Sequence, residues 1–518
     1  MPVNSSVPEL GPEAVSRTGQ PSRRLAPHTL RRLLRACDAV GFAGGWSAVW
    51  LTGMHRGARD PVVGLVGLAA IVATALVICS VRGLYSTGVA SIRAVAHTRL
   101  MTAAAGSGVA AALIADRTGL RSGWARPASG AVLSFGLAAL ARYIFDLRLR
   151  RARKRGAYAR PVTIVGSTEE VQLLARFLAA NPELGYVVAS AVGCDCDPGL
   201  GVPWHSHLAD VRRVVTASGA TAAIVFGSGF STSAINQLAR ELTAARIPLQ
   251  FHTGLVGVSY RRLRPTPIGH EPFLQLAPLS EAPLQLALKR VVDIVGSLLG
   301  LALTAPILVT GAVAIKLHDG GRVFFRQTRV GRDGKPIRVH KLRTMTADAE
   351  ARLLDVQPLN ERTGPLFKTE NDPRVTPVGK ILRRTSIDEI PQLFDVLRGD
   401  MSLVGPRPAL PEEVAAFDDA LLGRLRVRPG ITGLWQVEAR EKPSFDAYRR
   451  LDLFYVENWS IVLDLAIIVD TVPAVVGHAI SGLANVARRR SQSASARPTL
   501  APFTTPTDIA IESESLTP

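Results

Sequence analysis

The stretch LRRTSIDEIPQL (381–392) sets two carboxylates, Asp388 and Glu389, side by side, behind Arg383 and Arg384 and just ahead of Pro391. A proline does not belong deep in a helix, so a helix is expected to start near Glu389 with Asp388 at or near its N-cap. Capping alone would account for that aspartate. The chemical alternative is that the helix N-terminus and Arg383 or Arg384 lower the pKa of Asp388 and keep it ionised at neutral pH. Such a carboxylate is a usable nucleophile toward phosphorus and would form an acyl-phosphate. Glu389 beside it could bind Mg2+, which offsets charge on a diphosphate leaving group.

Basic loops surround the pair. FFRQTRVGRDGKPIRVHKLRTM (324–345) has the rhythm of a hairpin turning at GRDGK, and it presents Arg326, Arg329, Lys341 and Arg343. NDPRV, GPRP and RVRPG hold Arg374, Arg407 and Arg428 on turns built from Gly and Pro. The planar fork of arginine matches phosphate oxygens two at a time. Any single arginine is better explained as solvated surface charge, but several on tight turns around one acid pair point to phosphate.

The elements that must position these residues begin in a membrane. The chain has 518 residues, 47% hydrophobic and 20% charged, with 61 Lys+Arg against 42 Asp+Glu and a formal net charge of +19. The mean hydropathy is positive, +0.19. That mixture implies membrane segments joined to a charged soluble part. Aromatics are only 6% and no recognition motif for nucleic acid is present, so anionic lipid and phosphorylated substrates are the expected partners and nucleic acid is not. Cys37, Cys79, Cys194 and Cys196 are too few and too scattered for a disulfide framework.

Residues 1–30 read as a disordered polar tail without a cleavable signal peptide. Four apolar stretches follow at 37–54, 62–81, 99–115 and 128–146, each near the roughly 20 residues a bilayer requires. Basic residues crowd before the first (RRLLR) and after the fourth (RLRLRRARKRG), so both flanks of a four-helix domain, 31–150, are expected in the cytoplasm.

RPVTIVGSTEEVQLLARFLAANPELGYVVASAVG (160–193) reads as a βαβ unit, with further strands at 221–228 and 246–254. Its first turn, Gly166-Ser167-Thr168, lacks the second and third glycines of a dinucleotide site. A Rossmann-like α/β domain over 158–270 is expected, without a working dinucleotide site. Cys194, Cys196, His205 and His207 do not have a usual zinc-ligand spacing, and the D-x-D at Asp195 and Asp197 is short enough to arise by chance.

The fifth apolar segment, KRVVDIVGSLLGLALTAPILVTGAVAIKLH (289–318), carries Lys289 and Arg290 at its start, while Lys316, Arg322, Arg326 and Arg329 follow. Positive charge on both flanks argues for both ends in the cytoplasm. Pro306 removes a helix hydrogen bond and pushes Ala305 from helical geometry. A helix that breaks there and returns to the same face fits, as does a kinked spanning helix. Asp293 is costly in lipid and is expected to pair near the interface, with Arg290 as the partner. After 488 the chain is rich in Ser, Thr and Pro and reads as a disordered tail.

Residues 285–475 resemble the bacterial sugar transferase domain of the monotopic phosphoglycosyl transferases. The resemblance runs through KRVVD, FFRQTRVG, KLRTM, DPRVTPVGKILRRTSIDEIPQL, GDMSLVGPRP, RPGITGLWQV and FYVENWS. The whole layout resembles that family's long form: a four-helix transmembrane bundle, a Rossmann-like α/β middle domain, then a catalytic α/β domain (285–480) with a re-entrant membrane helix at 291–317 broken at Ala305-Pro306. The resemblance implies transfer of a sugar-1-phosphate from a UDP-sugar to polyprenyl (undecaprenyl) phosphate, with release of UMP, at the start of exopolysaccharide, capsule or O-antigen-type assembly. It implies Asp388 as nucleophile, Glu389 as its partner and Mg2+ as cofactor, held by the pair. Arg326, Lys341, Arg383, Arg384, Arg407 and Arg428 become the candidate phosphate and nucleotide ligands. It also implies a bacterial inner-membrane protein with a cytoplasmic catalytic domain and, from long-form members, a homodimer. Since UDP-sugars are cytoplasmic, a spanning fifth helix would put Asp388 on the wrong side, which favours re-entry. Ala305 replaces a commoner Ser, Leu342 a Phe and Asp395 an Asn.

Overall fold

The computed structural model describes residues 27–54, 61–85, 92–117, 124–193, 201–228, 230–255, 258, 262–269, 271–277, 283–352, 372–439 and 445–474. Helices α1 (Pro27–Val49, prolonged by a π-helical turn Trp50–Met54), α2 (Pro61–Val81), α3 (Arg93–Arg117) and α4 (Ala125–Lys154) pack together. Four described helices are long and apolar enough to cross a membrane: 62–81, 93–116, 125–154 and 283–319. This is a membrane protein. α1 packs as the fourth member of the bundle, but Arg31, Arg32, Arg35 and Asp38 in its first half keep it out of that set.

α1 and α4 run antiparallel at close range. Gly41 and Gly45 of α1 lie against Ala138 and Ser134 of α4, and a Cβ on Gly45 would overlap the Ser134 backbone. Small residues let membrane helices approach this closely. The contact is tied by a buried two-point bond from Arg142 Nε and Nη2 to Asp38, 2.7 Å at each oxygen. The basic start of α1 and the basic end of α4 therefore lie at one end of the bundle.

The next unit alternates strands and helices: β1 (Arg160–Val165), α5 (Thr168–Ala180), β2 (Tyr186–Val192), β3 (Trp204–His205), α6 (Val211–Ala217), β4 (Ala222–Phe226), α7 (Thr232–Ala244) and β5 (Leu249–His252). The sheet is wholly parallel in the order β3-β2-β1-β4-β5, with apolar layers buried on both faces. After β1, the Glu170 carboxylate folds back over the start of α5 and accepts from the Ser167 N–H (3.1 Å) and hydroxyl (3.0 Å). A side chain of the protein thus occupies the place where a helix N-terminus receives an anion. The Cys194, Asp195, Cys196 and Asp197 motifs lie outside the described residues; His205 and His207 are exposed. An antiparallel hairpin, β6 (Leu263–Ile268) and β7 (Glu271–Leu276), follows.

α8 (Pro283–Asp319) spans 37 residues, about 55 Å if straight. It is assigned as one helix through Pro306, where a break is expected from the sequence. Thr304 and Thr310 donate to the carbonyls of Gly300 (2.6 Å) and Pro306 (2.8 Å) on either side of the proline. Both ends of α8 are fastened to the same globular unit. Lys289 Nζ donates to Asp464 (2.6 Å) and to the Val404 carbonyl (3.0 Å), and Asp319 pairs with Arg343. Between these ends, seven of the nine residues 302–310 are exposed, which leaves the apolar middle of the helix uncovered by protein.

The globular unit continues with the antiparallel hairpin β8 (Phe324–Val330) and β9 (Pro336–Leu342), then α9 (Pro377–Thr385), α10 (Gln392–Arg398), and the parallel pair β10 (Ser402–Val404) and β11 (Gly430–Thr432). It closes with α11 (Phe445–Asn458) and a helix over 461–474. The expected Asp293–Arg290 pair is not formed. Asp293 accepts from the Ser402 hydroxyl (2.9 Å) and the Leu403 N–H (3.0 Å), while Arg290 donates to the Val396 and Leu397 carbonyls (2.6 and 2.7 Å). Each group takes the stronger local offer: the arginine caps the negative end of α10, and the carboxylate takes protein donors instead of lipid. The bundle grips this unit through α3, with Arg93 on Glu438 (3.3 Å) and His97 on Asp470 (2.6 Å).

Candidate active site

α9 is seated against the end of β9. Thr376 caps it by accepting from the Gly379 N–H (2.9 Å), and Gly379 lies so close to the Thr344 carbonyl that a Cβ would overlap it. α9 stops at Ser386, whose left-handed backbone (φ 57°) turns the chain sharply. A single 3₁₀ turn, Ile387–Glu389, then carries the acid pair, and α10 begins only at Gln392 with Pro391 as its N-cap residue. Asp388 therefore sits inside the turn between two helices and does not cap α10, as the sequence pattern suggested. Its neighbours Ile387 and Leu393 reach α8 at Gly311 and Gly300.

Asp388 is 8% exposed. Burial and the adjacent Glu389 push it up to about 6, against the pull of Lys341 and Arg383. The expectation of a lowered pKa is thus reversed, because desolvation outweighs the neighbouring cations.

Lys341 on β9 donates to Glu389 at 2.8 Å. Arg383 on α9 donates to the Thr344 hydroxyl at 2.9 Å and faces the Asp388 charge. Arg407, on the Gly405-Pro406-Arg407-Pro408 loop, donates to Glu413 at 3.1 and 3.2 Å, and its charge and that of Arg329 both act on Glu389. Burial and Arg407 pull Arg329 down to about 10, still a cation at neutral pH. Four cations therefore face three carboxylates, Asp388, Glu389 and Glu413.

The other sequence candidates spread outward. Arg384 is half-buried, next to Arg383 on α9. Arg428 is half-buried before Gly430, where its own carbonyl backs Gly405 so closely that a Cβ there would overlap it. Arg326 is exposed and pairs with His340, whereas Lys341 pairs with Phe325. Alternation along the strands puts Arg326 on the opposite face of the hairpin from Lys341, and puts Arg329 on the Lys341 face. Arg374 is buried in an ion pair with Asp372 at 2.8 Å, and Arg343 is held by Asp319. Ala305 and Pro306 are exposed in the middle of α8. Sequence reasoning missed Glu413, Arg424 and Asp452, since a buried ion pair has no local pattern.

Among the described residues no cluster of three or more His, Cys, Asp or Glu side chains could hold a metal by itself. Two adjacent carboxylates do fit Mg2+ when substrate phosphates supply further oxygens, the usual arrangement for that ion.

Fold and site together set an acid pair among four cations in a membrane protein. Residues 284–478 match the family described as bacterial sugar transferase. The exopolysaccharide production protein ExoY of Rhizobium meliloti is 40% identical over 191 residues, 36% of this chain and 84% of that protein. The UDP-glucose:undecaprenyl-phosphate glucose-1-phosphate transferase of Escherichia coli is 32% identical over 339 residues, 62% of this chain and 68% of that protein. The galactosyl transferase CpsE of Streptococcus agalactiae is 45% identical over 193 residues, 36% of this chain but 42% of that protein. The chain belongs to the bacterial sugar transferase family.

Proposed function

We propose that the protein moves a sugar-1-phosphate from a UDP-sugar to polyprenyl phosphate at the cytoplasmic face of a bacterial inner membrane, in two displacements at phosphorus. In the first, an oxygen of Asp388 attacks the sugar-bearing phosphorus, the bond to UMP breaks, and UMP leaves with that electron pair. The sugar phosphate is then an acyl-phosphate on Asp388. In the second, a phosphate oxygen of the lipid attacks the same phosphorus and Asp388 departs as carboxylate, leaving polyprenyl-diphosphate-sugar. The observation that carries this reading is a buried carboxylate, Asp388, that faces Lys341 and Arg383, beside a Glu389 on which Arg329 and Arg407 also act. The cations draw in the diphosphate and stabilise the charge spread over the transferred phosphoryl group.

Mg2+, held by Asp388 and Glu389 with substrate oxygens, would neutralise the leaving UMP. Lys341 keeps Glu389 oriented. α8 enters the bilayer with its exposed middle around Pro306 and returns to the same face, the arrangement supported by its two fastened ends. The parallel α/β unit serves as a Rossmann-like scaffold without a dinucleotide, consistent with Glu170 over the start of α5.

The test uses membranes containing the full chain and a panel of UDP-sugars. Asp388→Asn is expected to abolish UMP release, while the native enzyme quenched before lipid is added carries a sugar phosphate on Asp388, readable by intact mass. Turnover by the Asn variant removes Asp388 as nucleophile.

A further inference from the structure

Arg424 is 2% exposed and lies outside the ring of cations just described. Its Nη2 donates to the Arg407 carbonyl at 2.7 Å and to Asp452 on α11 at 2.6 Å. Its Cζ stands 4.7 Å from the Tyr448 ring centre and 5.4 Å from that of Phe417, so two aromatic faces hold the rest of the guanidinium.

The loop it touches is unusually constrained. Four successive carbonyls are each taken by a donor: Pro406 by the Gly430 N–H (2.9 Å), Arg407 by Arg424, Pro408 by Arg329 Nη1 (3.1 Å) and Ala409 by the Val330 N–H (2.9 Å). Prolines on both sides of Arg407 narrow its backbone further. Burying an arginine costs more than burying an apolar side chain of similar volume. The expense is explained if the carbonyl it holds belongs to a residue whose direction matters.

We propose that Arg424 is a positioning residue for the diphosphate of the donor: it acts through the backbone of Arg407, and Asp452 fixes it in place. The proposal rests on the reading of Arg407 as a phosphate ligand given above. Arg424 touches no substrate. It sets the angle at which the Arg407 guanidinium leaves the loop, and a loosened loop lets that guanidinium turn wholly toward Glu413.

A double-mutant cycle on the full-length protein separates this role from a merely structural one. Arg424→Met is expected to raise KM for the UDP-sugar about tenfold while kcat changes less than about threefold. In an Arg407→Ala background, which raises KM by itself, the same change is expected to add less than about twofold, because the residue it works through is gone. Arg424→Lys, which keeps a donor, restores part of the loss. Asp452→Asn, close in shape, follows the same pattern more weakly and serves as the test if Arg424→Met does not fold. Additive effects on KM, or a fall in kcat with KM unchanged, overturn the proposal and leave the phosphate role of Arg407 standing. An Arg407→Ala enzyme with native KM overturns both.

Discussion

Asp388 stands between opposing influences, and their balance sets its charge. Burial and Glu389 favour the protonated acid, Lys341 and Arg383 the carboxylate, and the result is a pKa pushed up to about 6. One pH unit above that value about nine in ten copies carry charge, and one unit below about one in ten. Since the proposed attack requires the carboxylate, kcat/KM is expected to fall on the acid side with a midpoint near 6, measured at one fixed Mg2+ concentration. Arg383→Gln removes a charge that lowers the pKa, so the midpoint moves upward. A profile that stays flat from pH 5 to 8 contradicts this. The residues responsible are all legible in LRRTSIDEIPQL and KLRTM, but the direction of the shift is not. A sequence shows which charges are near one another along the chain and says nothing of how much water reaches them. Arg329 and Arg326 make the same point: three positions apart on a strand, they face opposite ways, and only the register with β9 says which one meets Glu389.

At the scale of elements, the acid pair owes its place to how α9 meets β9. Gly379 is the point of closest approach, against the Thr344 carbonyl that also accepts from the Thr376 N–H. Gly379→Ala is expected to push the helix off, at about 1–3 kcal/mol of stability, and to separate Arg383 from Thr344. A displacement of that kind is expected to lower turnover about 10–100-fold. Thermal melts and initial rates on the same preparation check both; native rates show that α9 does not set the site. The long elements were legible: the βαβ rhythm, the hairpin at GRDGK and the apolar runs each follow from spacing. The short ones were not. Pro391 marks a helix start correctly, yet a 3₁₀ turn and a left-handed Ser386 shift that start past the acids. The β6–β7 hairpin carries prolines at 265, 267 and 272, which hide its alternation.

Across the whole molecule, the question is on which side each part lies. Lys289 and Asp319, at opposite ends of a 37-residue helix, bond the same globular unit. On a background with the four natural cysteines replaced, Leu284→Cys and Leu317→Cys, 72% and 82% exposed in the native protein, are expected to react with a membrane-impermeant maleimide from one side only. That side is the cytoplasmic one. Labelling from opposite sides makes α8 a spanning helix. Basic flanks fit this arrangement and a kinked spanning helix alike, and only the family resemblance favoured re-entry. The grip of α3 on the catalytic unit was invisible, since Arg93 and Glu438 are 345 positions apart.

The contact between the acid-bearing turn and α8 carries one last implication. The turn bearing Asp388 and the start of α10 rest, through Ile387 and Leu393, on α8 near Gly311 and Gly300, so in the proposed mechanism the reactive oxygen is carried at a set height above the acyl chains. On the proposed reading, the enzyme meets only the head of its acceptor. The isoprenoid stays dissolved below, and adding or removing units from its far end should leave the rate nearly unaltered.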